Sequence, residues 1–251
     1  VGDELPAEVF HQDFGGAGLS EVLRCLETRY YFSERVYYHH AKIALGALVA
    51  KAVEIALRAG SLTLEDLQHE TDAGLIDRLG RARVDDPAGR RRLRTFVEAF
   101  RARRVPKRVA VYPAYANEAL EEELIGRFYG AGSAEERQRV EARLGEGIRF
   151  AVGREVPVLL YCPAGRMQLK SARLLVRWPG REGLVPLGEM AAEIPRLADL
   201  ERSYRRMWKF YVLALTEDRD AIAAIQRLCA REFPGAVNVL QEEGQAPVPA
   251  P

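Results

Sequence analysis

Through its first half the chain places apolar residues at helical spacing, and in its second half the period shortens to that of strands. Ser20 has the chemistry of an N-cap and opens EVLRCLETRYYF. The pattern runs on, with a kink near Ser33, to Gly60, a natural stop in ALRAG. Alanines at 41, 44, 47, 50, 52 and 56 leave little bulk, which predicts a central helix that its neighbours approach closely. Thr63 and Asp66 form a capping pattern around LEDLQHE, and Thr71 or Asp72 opens AGLIDRLG. Asp86-Pro87 is a strong helix start, a carboxylate cap followed by proline in the first turn. That helix is expected to run to about Arg103 and stop before Pro106. Val109 to Tyr112 reads as a short strand, Asn117 opens EALEEELIGRFYG, and Ser133 with Glu136 makes a capping box for ERQRVEARLGEG.

In the second half, REVPVLLYCP and SARLLVRWPG are short β-rich runs joined by PAGRMQ, the pattern of a hairpin. Leu187 to Leu200 reads as a helix broken at Pro195, and Arg206 to Thr216 as an aromatic, branched strand. Asp218 or Asp220 caps a final amphipathic helix, and QEEGQAPVPAP has the composition of a disordered tail. The fold class predicted is α+β: a mostly helical N-terminal lobe, then a small α+β unit with an antiparallel sheet. Along the chain this gives a loop lead-in over 1–18, a helical lobe over 19–110 and a helical connection over 111–147. The small unit covers 148–235 and the tail 236–251.

The chain has 251 residues, enough for a sizeable core, and a formal net charge of +1, which argues against a uniformly basic coat. Three widely spaced cysteines, Cys25, Cys162 and Cys229, suit a reducing compartment and offer no zinc pair. No basic-then-apolar leader and no apolar run of spanning length occurs; the richest apolar window, Ile43 to Leu57, is broken by Lys51 and Glu54. A cytoplasmic protein is expected. The first residue, Val1, is what a fragment, a processed chain or a non-standard start would show.

Two stretches carry candidate chemistry. Arg29 to Lys42 gathers four Tyr, a Phe and two adjacent His beside arginine. Aromatics offer faces to a ring or sugar, and Arg a planar fork to phosphate. On a continuous helix Arg29, Ser33, Tyr37 and His40 fall close to one face. The plainer alternative is a half-buried helix whose hydroxyls and guanidinium reach water. The second stretch is Arg81 to Arg108, where eleven cations against three acids give a local net charge of +8. Such a cluster attracts phosphate, unless it is simply a solvated face. Within it Arg104 and Arg108 flank Pro106, and an extended backbone would set them on one side. Their other possible partners are the acids Glu118 to Glu123. No phosphate loop, dinucleotide fingerprint, nucleophile elbow or HExxH occurs, and His11, His39, His40 and His69 lack metal-ligand spacing.

The run TRYYFSERVYYHHAKIALGALVAKA resembles the segment that follows the catalytic core in HD-domain phosphohydrolases, and most closely the deoxynucleoside triphosphate triphosphohydrolases. DLQHETDAGLIDRL and RARRVPKRVAVY continue the resemblance, which covers Leu19 to Phe233. It implies metal-assisted hydrolysis, in which a His…His-Asp…Asp set holds a divalent ion (Mg or Mn) that lowers the pKa of an attacking water. This sequence has no His-Asp dipeptide, so the resemblance implies the C-terminal region of such an enzyme, incomplete for catalysis by itself and with no cofactor of its own. It implies that Arg29 clamps a substrate triphosphate and Tyr37 packs on the deoxyribose. It implies a regulatory nucleotide site at Arg104, Arg108 and His40, in a homo-oligomer. His40 stands where some members carry Lys, and Pro163 replaces a Lys after the Tyr-Cys pair, which speaks against control by dGTP or GTP. The expected ligand is a dNTP-like nucleotide, with single-stranded nucleic acid possible at 81–108 and no membrane partner. The reading from a different class is a non-catalytic nucleotide- or nucleic-acid-binding module.

Overall fold

The structure, a computed structural model, describes residues 16–164, 174–178 and 180–240. The lead-in over 1–15, with His11, most of the PAGRMQ loop and the tail from 241 lie outside the described residues. The fold is α+β: helices predominate, beside an antiparallel sheet of three strands and another of two. The chain divides into two compact units, Val1–Tyr38 with Arg166–Trp208, and His39–Gly165 with Lys209–Pro251. Each draws on separated stretches, so this division cuts across the sequential segments read from composition.

In the first unit, α1 (Gly16–Phe32) buries Leu23 and Leu26 in a core shared with Leu197, Leu200 and Tyr204 of α8 (Pro195–Arg206). The helix begins before Ser20, which is therefore not its cap. Arg196 grips Glu27 with both guanidinium arms, at 2.6 and 2.7 Å. Pro195 does not break a helix; it sits in the first turn of α8, where a missing N–H costs nothing. The expected hairpin is not formed: β3 (Leu175–Arg177) pairs with β4 (Leu184–Pro186), whereas β2 (Val158–Tyr161) pairs with β5 (Lys209–Ala214).

The second unit is built on the sheet β1-β5-β2, with β1 spanning Lys107–Pro113. The last strand in sequence lies in the middle, and residues 109–113 and 210–214 are all buried. The strand at 107–113 thus belongs to the same sheet as β2 and β5, not to a helical lobe. On one face Tyr112, Phe210, Phe128 and Phe233 form an aromatic cluster with ring centroids 5.2 to 5.9 Å apart. Helix α2 (His40–Arg58) buries Ala44, Ala47, Ala52 and Ala56, the close approach that its small residues predict. It packs on α5 (Pro87–Arg101), started by Asp86, whose carboxylate accepts from the Ala88 and Gly89 N–H groups. The Thr63–Asp66 capping box, the Thr71 cap and the Asp218 cap of α9 (Arg219–Glu232) all form. Asn117 and Ser133 make no side-chain cap on α6 (Glu118–Phe128) or α7 (Ala134–Val152). Asn117 is instead buried, with its amide committed elsewhere.

Candidate functional site

The expected row of Arg29, Ser33, Tyr37 and His40 does not survive intact. Ser33–Tyr37 is a π turn, closed by the Tyr38 N–H on Ser33 O at 2.8 Å. Eight residues make about 2.2 turns of α-helix, so Tyr37 would overshoot Arg29, and the wider π turn takes up that excess. Arg29 and Tyr37 are both exposed, Tyr37 by 51 %, with its ring edge-on to Phe32 at 5.3 Å. Ser33 between them turns inward: it is buried, with Oγ 3.3 Å from the Tyr204 hydroxyl. The helix then breaks, because Tyr38 and His39 leave helical geometry and His39 becomes the cap of α2. His40 therefore starts a new helix in the second unit and is not a member of the row.

In the second unit His40 lies within electrostatic reach of Arg108. Burial, the Arg108 charge and His39 together hold the His40 imidazole below its ordinary pKa. A bulge delivers Arg108 there. Arg108 pairs with Leu213 and Ala110 with Val212, so Val109 is an extra residue that switches Arg108 to the other face of β1. That face carries Leu213 and Tyr211 of β5, and across from Tyr211 stands Tyr161 of β2, with centroids 6.1 Å apart. Burial pushes the Tyr211 hydroxyl up to about 12, against the pull of Arg108. The result is a cation and two phenol rings on one side of a sheet.

Arg104 does not share an extended stretch with Arg108. It closes the C-terminus of α5: its N–H donates to Ala99 O at 2.8 Å, and that of Arg103 to Phe100 O at 3.0 Å. Arg103 takes the left-handed position of this Schellman turn, with φ 52°. Part of the +8 segment is neutralised internally, Arg94 by Glu98 at 2.7 Å, Arg101 by Asp77 at 2.6 Å and Lys107 by Glu217 at 3.3 Å. Among the described residues neither Arg104 nor Arg108 takes part in a salt bridge, so the pairing with the acids of α6 is not formed.

A further group of charges carries no motif in the sequence. Lys51 Nζ lies 2.9 Å from Glu54 Oε2 and 2.9 Å from Glu141 Oε2, with Arg92 3.6 Å from the same Glu141 oxygen. The Lys51–Glu141 contact is an ion pair without hydrogen-bond alignment, whereas Glu141 Oε1 accepts the Leu160 N–H at 3.0 Å. Burial raises the Glu141 pKa against the pull of Lys51. Arg137 joins Glu54 Oε1, at 2.7 Å, to the carbonyls of Phe128 and Gly130. Cavities of about 390 and 340 Å³ flank the group, with Arg92 lining both. Their linings mix both signs, Lys51, Arg58 and Asp86 in the first, Arg149, Glu141 and Glu155 in the second. The sequence signal for this group is the pair of charges that interrupt the apolar window of α2.

Burial pushes the Cys162 and Cys229 thiols up to about 12, which removes them as thiolate nucleophiles. Among the described residues no group of three His, Cys, Asp or Glu side chains could hold a metal ion, so these residues do not fit the divalent site of the resembled enzymes. No described helix is long and apolar enough to cross a membrane. Set against protein-family models, curated proteins and solved structures, the chain matches none of them.

Proposed function

We propose that the chain is the substrate-positioning and assembly region of an HD-type phosphohydrolase acting on (deoxy)nucleoside triphosphates, incomplete for catalysis by itself. The observation that carries this reading is the placing of Arg108 on the sheet face of the Tyr161–Tyr211 pair. A guanidinium recognises phosphate through charge-assisted hydrogen bonds, and the half-buried Tyr161, backed by the buried Tyr211, offers a ring to a base or sugar. Arg29 and Tyr37 in the other unit add an exposed cation and an exposed phenol ring. These groups can bind and orient a nucleotide; the metal set that would activate water is not among the described residues. The test is titration of a nucleoside triphosphate into the parent and an Arg104→Glu/Arg108→Glu variant at two salt concentrations, with thermal stability measured on both. The reading expects salt-sensitive binding that the variant loses while it stays folded. No binding by the folded parent would overturn it.

The second reading, a single-strand-binding module, is favoured by the exposure of Arg91, Arg103 and Arg104. None of the three is in a salt bridge among the described residues. Nucleic acid contacts release counterions, so oligonucleotide binding would weaken steeply with salt. Binding of an oligonucleotide but not of a nucleoside triphosphate would select this reading.

A further inference from the structure

Two groups on the outer side of β1 are arranged to read the main chain of an extended segment. Asn117 is 4 % exposed, and its amide faces Val237 both ways. The Val237 N–H donates to Asn117 Oδ1 at 2.7 Å, and Asn117 Nδ2 donates to Val237 O at 3.1 Å. The same Nδ2 donates to Pro113 O at 3.0 Å, which ties the reading group to the strand. Two residues before Pro113, Val111 presents its outward N–H and C=O. The Val111 N–H donates to Asn238 Oδ1 at 2.9 Å, and the Val239 N–H donates to Val111 O at 3.0 Å. The segment is thus recognised through its backbone and one asparagine, as when a strand is added to a sheet edge.

The occupant is held by hydrogen bonds, with little apolar burial. Val237, Val239 and Leu240 are 51, 42 and 37 % exposed. Its attachment is a short hinge. Phe233 is anchored in the aromatic cluster, and Pro234 with Gly235, at φ 80°, leads into the segment. An occupant with few buried apolar groups, on a hinge beyond a firm anchor, can leave without disturbing the core. Once it leaves, Val111 faces outward between Val109 and Pro113 on a strand with no charge from Val109 onward, the kind of edge that recruits another chain.

We propose that Asn117 and Val111 form a binding site for an extended segment, filled in the structure by the chain's own Val237–Val239 and able to take the same segment from a second copy of the chain. The fit of that partner is the one seen in the structure, since the contacts made across copies would be those made within one. The internal segment competes at an effective concentration of about millimolar, which sets how rarely exchange occurs.

The test titrates a fluorescent peptide of residues 236–240, AVNVL, into the full chain and into its Asn238→Ala variant, read by anisotropy. The substitution removes the acceptor for the Val111 N–H from the internal segment and leaves Asn117 and Val111 intact. One hydrogen bond lost from the competitor should strengthen peptide binding by roughly five- to tenfold over the parent. A control peptide carrying alanine at 238 should bind both proteins more weakly than AVNVL, because it lacks the acceptor for the Val111 N–H. Val239→Pro, which removes the other donor, should act in the same direction as Asn238→Ala. Equal responses from parent and both variants, including no response from any, would overturn the proposal.

Discussion

Lys51 Nζ lies 2.9 Å from Glu141 Oε2 with their side chains 9 % and 0 % exposed, so one buried contact joins α2 to α7 beside β2. Removing one partner of a buried ion pair costs about 3–5 kcal/mol, because the other charge is stranded. Lys51→Met should therefore lower stability by about that amount in urea unfolding. Glu141→Gln should cost much less, because the amide oxygen still accepts the Leu160 N–H while Lys51 keeps Glu54. The sign with pH follows from burial. A carboxyl held above its unfolded pKa contributes stability at low pH that is lost as pH rises through the folded value. The deficit of Lys51→Met should shrink on acidification, and a deficit constant with pH would refute the assignment.

Glu54 titrates in the opposite sense. Burial alone would raise its carboxyl, but Lys51 and Arg137 outweigh burial and hold it below the ordinary value. Its stabilising contribution is present above the unfolded pKa of about 4.3 and disappears as pH falls through the depressed one. Thermal melts between pH 6 and about 3 should fall less steeply for Glu54→Gln than for the parent. Parallel curves for the two proteins would exclude this role.

Arg103, with φ 52°, is the only residue other than glycine at positive φ among the described residues. The left-handed conformation costs a non-glycine residue about 1–2 kcal/mol. Glycine gives back about 0.5–1 kcal/mol through its freer unfolded chain. Arg103→Gly should accordingly stabilise the protein by about 0.5 kcal/mol. If this guanidinium also serves the single-strand-binding reading, the same variant should bind an oligonucleotide less well, so the two measurements belong together.

Arg29→Ala tests the proposed phosphate clamp. Within a complete enzyme it should lower turnover by a factor corresponding to a few kcal/mol of transition-state stabilisation. Circular dichroism and melting temperature should hold, because Arg29 is exposed in the last turn of α1. Unchanged kinetics in the folded variant would remove Arg29 from the site.

What the sequence by itself determined are the features set by neighbours along the chain. The Asp86-Pro87 start, the Thr63–Asp66 box, the Asp218 cap and the alanine face of α2 were all readable, because each depends on residues within a turn or two. The tertiary structure decided the partners. Strand β2 had the composition of a hairpin arm, yet its neighbour is β5, about fifty residues away, because the buried run 210–214 needs a strand on each side. A π turn and the His39 cap ended the helix of Arg29 before His40 and began another, and a single extra residue, Val109, turned Arg108 toward Tyr211. Lys51 and Glu54 were visible as charges in an apolar window, but Glu141 looked like any surface acid of a charged helix. Only the fold buries it beside Leu160, where it accepts a strand N–H and lies against the Lys51 ammonium.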